Sequence, residues 1–460
     1  MLQQFDIPAD LDTPVSAYRK LRDFAPRFLL ESVEQGERLG RYSFIGFGDS
    51  FDVRISGGHF DLDGKSQPLP DSAEGVLQIL RGALQRAPKP GPQPPGVPFG
   101  GGLVGVTGYD MARRFESLAV GSATSAAIAA AYFGPSTILV FDHLTRRAAL
   151  MHDGPESERQ SMRQEVIRAL RGPSPERRSP GRHSAPVASF DLPSFVETVG
   201  RVKGEITAGE VYQLVLSIQF SGECDVEPFE VYRALRLLNP SPYMFFNDFG
   251  DLAVIGSSPE ALVKLDGRQA SLRPIAGTRP RGPDEEADLA LEKELLLDPK
   301  EAAEHVMLVD LARNDLGRVA VPGSVDVNPY RTIERYSHVM HLVSGVQGVL
   351  APEADAFDLF AASFPAGTVV GAPKIRAMEL IDELEPVPRG IYAGTSGYFG
   401  HGGAMDQAIA IRTLVLEPGR YTYQAGAGIV SDSDPASEHA EVLAKSAALE
   451  AALTLAEEGL

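Results

Sequence analysis

Apolar and polar residues follow two different periods along this chain, and together they predict a mixture of strands and helices. Runs with alternating or Gly-interrupted apolar residues predict strands at 99–110, 130–151, 211–223, 253–277 and 421–430. Apolar residues spaced three or four apart predict helices over 192–210 and 435–458. Because the elements show no regular strand–helix–strand alternation, the pattern predicts an α+β fold with large antiparallel sheets.

One helical stretch contains a proline that predicts a break in the helix. The segment 288–317 has helical spacing throughout but contains Pro299, and Gly317 follows its last apolar residues. Proline removes a backbone donor and glycine favours a helix end, so two consecutive helices are predicted here.

Two proline-rich segments divide the chain. The first, 86–98, has six prolines in thirteen residues, and the second, 171–189, is long and polar. Such segments favour extended connections. We predict an N-terminal region at 1–170, a linker at 171–189 and a C-terminal region at 190–460.

Charge and cysteine content exclude several classes of protein. The net charge of −19 argues against nucleic acid as a partner. No apolar run reaches the length of about 18 residues that spans a membrane, and the first residues lack the apolar core of a signal peptide. Cys224 is the only cysteine, so the chain cannot form an internal disulfide, which fits a cytoplasmic location.

Two predicted helices each present a pair of carboxylates. Glu301 and Glu304 are three residues apart, as are Glu438 and Glu441, and Lys445 follows four residues later. Residues three or four apart share a helix face. A solvated acidic helix start would explain either pair alone. Apolar residues around both pairs instead favour partial burial, where facing carboxylates would need a cation, and oxygen-only ligands suit Mg²⁺.

Several segments offer groups that bind anions. Glycines interrupt the predicted strands at 389–400 and 424–430, and the Gly/Pro-rich segment at 364–385 opens a helix whose free N–H groups suit a carboxylate or phosphate. Arg412, predicted at the end of a strand, has the planar donor fork that holds a carboxylate. The residues predict a small polyanion held by Mg²⁺ and by arginine with backbone donors.

Five motifs together resemble the chorismate-utilising enzymes, and most of all the component I subunits of anthranilate synthase. The resemblance spans about 190–455 and rests on PIAGTRPRG, EHVMLVDLARNDLGRV, RYSHVMHLVSGVQG, FPAGTVVGAPKIRAMELI and QAGAGIVSDSDPASEHAEVLAK. The segment 29–46 is similar to the start of that family. The resemblance implies two large antiparallel sheets packed face to face with helices outside.

The resemblance also implies a magnesium-dependent site for chorismate. Glu304 and Glu441 would be the inner Mg²⁺ carboxylates, supported by Glu301 and Glu438. The substrate's two carboxylates would be held by a second group of residues, namely Tyr392, Arg412, Gly426, Gly428 and Lys445.

Three further residues acquire catalytic roles by resemblance. Glu260 would be the general acid that protonates the departing C4 hydroxyl, which requires a raised carboxyl pKa. His341 would assist proton movement, although a packed structural histidine is an alternative reading. Thr278 would donate a hydrogen bond to the substrate, and the arginines of 273–282 would balance either the substrate's charge or that of nearby acids.

Two positions separate the branches of the family by chemistry. The water-adding branch carries a lysine at the position of Gln213, and the aminodeoxychorismate synthases carry a nucleophilic lysine at the position of Ala276. With neither lysine, the nucleophile is expected from outside the chain, and ammonia attacking C2 directly fits, which would give anthranilate and pyruvate. An aminodeoxychorismate synthase without the lysine and a non-catalytic tryptophan-binding subunit are the alternatives.

The resemblance implies two partners. The sequence has no Gly-x-Cys-x-Gly motif, so ammonia is expected from a separate glutamine amidotransferase subunit, in a heterotetramer. L-tryptophan is expected as a feedback inhibitor, although a simple core strand would also explain part of its predicted site. The residues of that site are Glu31, Ser32, Asn239, Pro240, Tyr243, Met244 and Phe245.

Overall fold

The computed structural model describes residues 4–33, 40–116, 118, 128–175, 181–335 and 339–460. Within these residues the helices are α1 (Pro14–Lys20), α2 (Ala73–Arg86), α3 (Ala112–Phe115), α4 (Glu156–Arg171), α5 (Leu192–Ala208), α6 (Pro228–Leu238), α7 (Glu285–Leu297), α8 (Pro299–Gly317), α9 (Ala356–Ser363), α10 (Lys374–Leu384) and α11 (Pro435–Glu458). Short 3₁₀ turns lie at Arg22–Phe24, Tyr109–Met111 and Gly367–Val369.

The strands of the same residues follow in chain order. They are β1 (Ile7–Pro8), β2 (Phe28–Glu31), β3 (Tyr42–Ser56), β4 (His59–Leu62), β5 (Lys65–Pro68), β6 (Gly102–Thr107), β7 (Ile128–Asp142), β8 (Arg147–His152), β9 (Val187–Ala188), β10 (Gln213–Cys224), β11 (Tyr243–Asp248), β12 (Ala253–Ser258), β13 (Ala261–Asp266), β14 (Gln269–Leu272), β15 (Ile275–Pro280), β16 (Asp326–Val327), β17 (Thr332–Arg335), β18 (Val339–Val343), β19 (Val346–Val349), β20 (Gly371–Ala372), β21 (Thr395–Gly400), β22 (Met405–Ile409), β23 (Thr413–Glu417) and β24 (Gly419–Ile429).

Two large antiparallel sheets share the long strands β3 and β7. The first sheet runs through β9, β10, β24, β23, β12, β11, β2, the first half of β3, the second half of β7, β8 and β1. The second runs through β16, β19, β14, β13, β22, β21, β6, the first half of β7, the second half of β3, β4 and β5. The register between β3 and β7 shifts at 47–50, where the strands pass from one sheet to the other.

The two sheets bury a common apolar layer. This cluster takes side chains from both sheets, including Phe28, Phe44, Phe245 and Val254 from the first and Val104, Val106, Phe133 and Tyr398 from the second. Each fully buried aromatic or branched side chain contributes roughly 1.5–3 kcal/mol. Helices α5, α6 and α11 pack on the outer side of the first sheet, and α8 and α9 pack on the second. The predicted α+β fold with face-to-face sheets and outer helices is confirmed.

The predicted helix break is also confirmed. Helix α7 ends at Leu297, and α8 begins at Pro299 after the N-cap Asp298, whose carboxylate accepts hydrogen bonds from the backbone N–H groups of Lys300 and Glu301. Helix α11 begins in the same way, with Asp434 as N-cap before Pro435. An acidic cap followed by proline fixes the first turn. Both helices that carry the carboxylate pairs are therefore anchored at the end where those pairs lie.

Strands from both sides of the predicted linker belong to the same sheets. Strand β2 pairs with β11, and β6 pairs with β21. The linker 171–189 includes residues 176–180, which lie outside the described residues. Helix α4 ends at Arg171, the first residue of this linker, and β9 pairs with β10 at its far end. In the described part of the chain, no helix is both long and apolar enough for a membrane span.

Candidate active site

Two glycines of β24 form one wall of the candidate site. A Cβ atom on Gly428 would lie 2.4 Å from Gln213 Nε2, and one on Gly426 would lie 2.8 Å from the hydroxyl of Tyr392. Both distances are shorter than real Cβ contacts, so a side chain at either position would displace its neighbour. The glycines therefore leave room on β24 for the side chains of Gln213 and Tyr392.

Arg412 is a half-buried cation. Among the described residues, no carboxylate or carbonyl accepts a hydrogen bond from its guanidinium, and burial lowers its pKa from the ordinary value. The prediction that it ends a strand is wrong. It lies in the turn between β22 and β23 with φ of +49°, a left-handed conformation that a strand cannot contain. Its backbone carbonyl accepts a hydrogen bond of 3.1 Å from the N–H of Ser257.

His341 and Thr278 lie side by side on a small three-stranded sheet. Strand β18 carries His341, β15 carries Thr278, and His341 Nδ1 lies 3.0 Å from the Thr278 hydroxyl. Burial lowers the pKa of His341, and the nearby charge of Arg412 lowers it further. Ala276 is buried two residues before Thr278 on the same strand. The structure thus brings His341, Thr278 and Arg412 together.

A bulge at Gly277 creates this arrangement. The register between β15 and β18 shifts between Ala276 and Thr278, and Gly277 has φ of +60°. A Cβ there would lie 2.7 Å from Leu295 and 3.0 Å from a carboxylate oxygen of Glu301. Only glycine fits both the backbone conformation and this close approach. The bulge places the Thr278 strand directly against the first carboxylate pair.

Glu260 is an acid held largely in its protonated form. It follows β12, lines a cleft of about 40 Å³, and accepts a hydrogen bond of 3.2 Å from the hydroxyl of Thr368. Burial raises its pKa to about 8, although the Thr368 hydrogen bond acts in the opposite direction. Among the described residues that line the cleft, the only cation is Arg273, which is paired with Glu334. A neutral carboxyl in such a place suits a general acid.

The carboxylate pairs approach one another without forming a closed cluster. Burial and the charge of Glu301 raise the pKa of Glu304, and Glu441 of the other helix adds to the effect. Gln213 Nε2 makes a long contact of 3.5 Å with Glu304 Oε1. Glu438 lies half-buried one turn before Glu441. Among the described residues, no group of three or more His, Cys, Asp or Glu side chains is arranged to hold a metal.

Cations hold two of these carboxylates. Glu301 accepts a hydrogen bond of 3.2 Å from Arg279, and Glu441 pairs with Lys445 at 2.6 Å. Lys445 Nζ also donates to the carbonyl of Gly426 at 3.1 Å. The predicted substrate lysine therefore lies at the edge of the glycine strand, about half exposed, between that strand and the second carboxylate pair.

The arginines of 273–282 balance nearby acids. Arg273 pairs with Glu334, and Arg281 pairs with Asp288. Arg279 binds three carboxylates, namely those of Glu294, Asp298 and Glu301. The sequence left open whether these arginines balance the charge of the substrate or that of nearby acids, and the structure supports the nearby acids.

The predicted tryptophan site is only partly assembled. Glu31 is buried on β2, and its carboxylate binds Arg236 at 2.9 Å and the hydroxyl of Tyr232. The hydroxyl of Ser32 is buried without a hydrogen-bond partner among the described residues. Asn239 donates to the Ser257 hydroxyl at 2.7 Å.

The β11 residues of the predicted tryptophan site point to two opposite faces of the strand. Successive strand residues point to opposite faces. Met244 lies opposite Glu31 and packs in the outer core, whereas Phe245 packs between the sheets against Gly256. Tyr243 points to the same face as Phe245, and Pro240 is exposed before the strand. The structure therefore does not bring Met244, Tyr243 and Phe245 into one wall.

Sequence reasoning missed Thr368 and Arg389. Thr368 lies 108 residues from its partner Glu260, and Arg389 is fully buried where the sequence shows only a Pro/Gly-rich turn. Thr368 lies in the segment 364–385, which the sequence predicted to bind an anion. No local pattern linked Thr368 to Glu260. Arg389 had no signal beyond being a charged residue among apolar ones.

Comparisons with known proteins agree with this geometry. A family model described as chorismate binding enzyme matches residues 25–451. Anthranilate synthase component 1 of Thermus thermophilus is 45% identical over 98% of this chain and 97% of its own length, and that of Pseudomonas aeruginosa is 44% identical over 99% and 96%. The solved anthranilate synthase component I of Streptococcus pneumoniae superposes with a TM-score of 0.79 at 37% identity, over 91% of this chain and 94% of its own. The menaquinone-specific isochorismate synthase of Escherichia coli shares the fold, with a TM-score of 0.70 at 21% identity over 95% and 91%.

Proposed function

The chain belongs to the chorismate-binding enzyme family, and from that premise we propose that it catalyses the anthranilate synthase reaction. Chorismate and ammonia give anthranilate, pyruvate and water. Relatives 43–45% identical over nearly the whole chain, all named anthranilate synthase component 1, support this activity over others of the family. The single observation that carries it in the structure is Arg412, a half-buried cation that has no hydrogen-bond partner among the described residues and whose charge acts on His341.

The substrate's carboxylates are held at the glycine strand. Arg412 and the hydroxyl of Tyr392 bind the enolpyruvyl carboxylate, because a guanidinium donates two parallel hydrogen bonds to such a group. The backbone of Gly426 and Gly428 approaches the ring carboxylate, with Lys445 at the same edge. The close approach that these glycines permit supports this arrangement.

Mg²⁺ fits the chemistry of the carboxylate pairs. The donors are oxygens only, and burial together with the charges of Glu301 and Glu441 raises the pKa of Glu304, so a divalent cation would stabilise its ionised form. Glu304 and Glu441 would hold the ion directly, with Glu301 and Glu438 behind them. When bound, it would neutralise the ring carboxylate and polarise the ring.

Proton transfer falls to Glu260. Ammonia attacks C2 of the ring, and the C4 hydroxyl leaves as water after it receives the proton of the Glu260 carboxyl. Thr368 orients that carboxyl. His341 is largely neutral because its pKa is lowered. Together with Thr278 it orients the ring and assists the second proton transfer, which accompanies the loss of pyruvate. Gln213 and Ala276 supply no competing nucleophile.

Ammonia comes from a second subunit. The only cysteine, Cys224, is buried at the end of β10, and burial raises its pKa, which leaves the thiol unreactive. We infer a glutamine amidotransferase partner in a heterotetramer and feedback inhibition by L-tryptophan.

The purified chain is therefore expected to form anthranilate from chorismate, Mg²⁺ and ammonium salts, but not from glutamine. Anthranilate fluorescence measures the product directly, and removal of Mg²⁺ with EDTA should abolish it. Addition of an amidotransferase subunit should restore activity with glutamine. Equal use of glutamine by the chain alone, or a different amino acid product, would contradict the proposal.

The unpartnered hydroxyl of Ser32 supports the tryptophan site and gives its test. Ser32→Arg places a long cationic side chain at this buried position and should remove inhibition by tryptophan, while activity with ammonium stays near that of the wild type. The chain contains no tryptophan, so binding can be followed by the ligand's own fluorescence. Unchanged inhibition in the variant would count against this site. Val33→Ile, one residue further along, is a control that should leave inhibition intact.

A further inference from the structure

Arg389 and Glu385 form an ion pair buried inside the catalytic half of the molecule. Their side chains are 1% and 3% exposed. Arg389 donates from Nε to one oxygen of Glu385 at 2.9 Å and from Nη2 to the other at 2.7 Å. Glu385 in turn accepts hydrogen bonds from the backbone N–H and the hydroxyl of Ser217 on β10. The carboxylate is thus fixed to the strand that pairs with the glycine strand.

The remaining donors of Arg389 reach two further segments of the site. Nη1 donates to the carbonyl of Val369 at 2.7 Å, and Nη2 donates to the carbonyl of Val215 at 2.8 Å. Val369 directly follows Thr368, which holds Glu260. Val215 lies opposite Gly428 in the register of β10 and β24.

The flat face of the guanidinium contacts the aromatic rings beside it. Its carbon lies 5.5 Å from the centroid of Tyr392 and 4.9 Å from that of Tyr109. The backbone N–H of Tyr392 donates to the carbonyl of Arg389 at 3.1 Å. The position of Tyr392 relative to Gly426 therefore depends on the orientation of the Arg389 guanidinium plane.

A purely structural role does not account for such a residue. Removal of a charged pair from water costs several kcal/mol per ion, and apolar side chains of similar volume usually fill a core as well or better. Here every assigned hydrogen bond of Arg389 ends on a segment that borders the glycine wall or the general acid. Lysine cannot replace this geometry, because an ammonium lacks the planar fork and the flat face.

We propose that Arg389 is a positioning residue that fixes, through one planar cation, the Thr368 turn, the strand opposite Gly428 and the ring of Tyr392. It touches no reacting atom. Its effect passes through the residues that do, and the assignment rests on the proposed function.

The test compares Arg389→Lys with Arg81→Lys. Arg81 also makes a bidentate contact, to Asp355, and is partly buried, but it lies between α2 and α9 away from the glycine wall. In Arg389→Lys, kcat/KM for chorismate with ammonium and Mg²⁺ should fall about a hundredfold, as expected when catalytic groups shift by about 1 Å. The alkaline limit of the pH profile should also move upward, because a loosened Thr368 no longer favours the ionised form of Glu260.

Arg81→Lys should lower the melting temperature by an amount similar to that in Arg389→Lys. It should leave kcat/KM and the pH profile unchanged. If Arg389→Lys does not fold, Glu385→Gln keeps the shape of the acceptor and weakens the same fork, and it should show the same loss and the same shift. A folded variant within threefold of wild-type kcat/KM, or a loss without a shift of the pH profile, would overturn the positioning role alone. A wild type that neither binds nor converts chorismate would overturn the proposed function and this inference with it.

Discussion

Replacement of Glu260 with glutamine should lower kcat for anthranilate formation by about three orders of magnitude while chorismate still binds. Positioned proton transfer contributes about 10²–10⁴-fold in general, and glutamine keeps the size of the side chain and the Thr368 contact but has no proton to give. Steady-state kinetics with ammonium measure kcat, and calorimetry measures chorismate binding. Ala261→Ser, the next residue, is a control that should leave kcat near that of the wild type.

The pH dependence of the wild type follows from the same carboxyl. Burial raises its pKa from the ordinary 4.5 to about 8, so the group carries its proton at neutral pH and loses it as the pH rises through 8. Activity should therefore fall about tenfold per pH unit above that value. An alkaline limit unchanged in Glu260→Gln, or a kcat close to that of the wild type, would show that another group donates the proton.

Stability should change with pH through Glu260 as well. Between pH 4.5 and 8 the folded chain retains a proton that the unfolded chain releases, so this group makes the free energy of unfolding fall as the pH rises. Glu260→Gln removes that contribution. The variant should therefore gain stability relative to the wild type at pH 8 more than at pH 5, measured by urea unfolding at both values.

Replacement of Arg412 with glutamine should reduce kcat/KM for chorismate by about 10²–10³-fold and at the same time leave the protein as stable or more stable. Loss of one member of a desolvated charge pair costs roughly 2–5 kcal/mol in binding. In the free protein, however, the guanidinium is half-buried without a partner among the described residues, so its removal relieves a desolvation cost. Opposite changes in activity and stability distinguish a ligand-binding arginine from a structural one.

Arg54→Gln is the matched control for that experiment. Arg54 lies on the second half of β3, pairs with Asp251 and donates to the carbonyl of Phe249. Its replacement should lower the melting temperature and leave kcat/KM unchanged. If Arg412→Gln behaved in the same way as Arg54→Gln, the assigned role in substrate binding would be wrong.

The features that the sequence predicted correctly depend on residues close together in the chain. Pro299 and the Asp-Pro starts of α8 and α11 act within one helical turn, and the glycines of β24 report a close approach at their own position. The pairs Glu301–Glu304 and Glu438–Glu441 could be placed on helix faces for the same reason. These features depend on neighbours in the chain, so pattern and spacing were enough to find them.

What the sequence did not predict depends on distant segments. Arg412 was expected in a strand, but the turn that presents its side chain is set by where β22 leaves the second sheet and β23 joins the first. The buried partner of Glu31 is Arg236, 205 residues away, which no spacing indicates. The division of Met244 and Phe245 between two faces follows from the strand period once β11 has a sheet on one side and a helix on the other.

Ser257 connects the predicted tryptophan site with the turn that carries Arg412. Its hydroxyl bonds with Asn239 of the predicted tryptophan site, and its backbone N–H donates to the carbonyl of Arg412. If tryptophan binds at the proposed site and lowers the affinity for chorismate, the coupling free energy is the same in both directions. The factor by which tryptophan weakens chorismate binding is then the factor by which chorismate weakens tryptophan binding, and the inhibitor would respond to the supply of substrate as well as to the abundance of the end product.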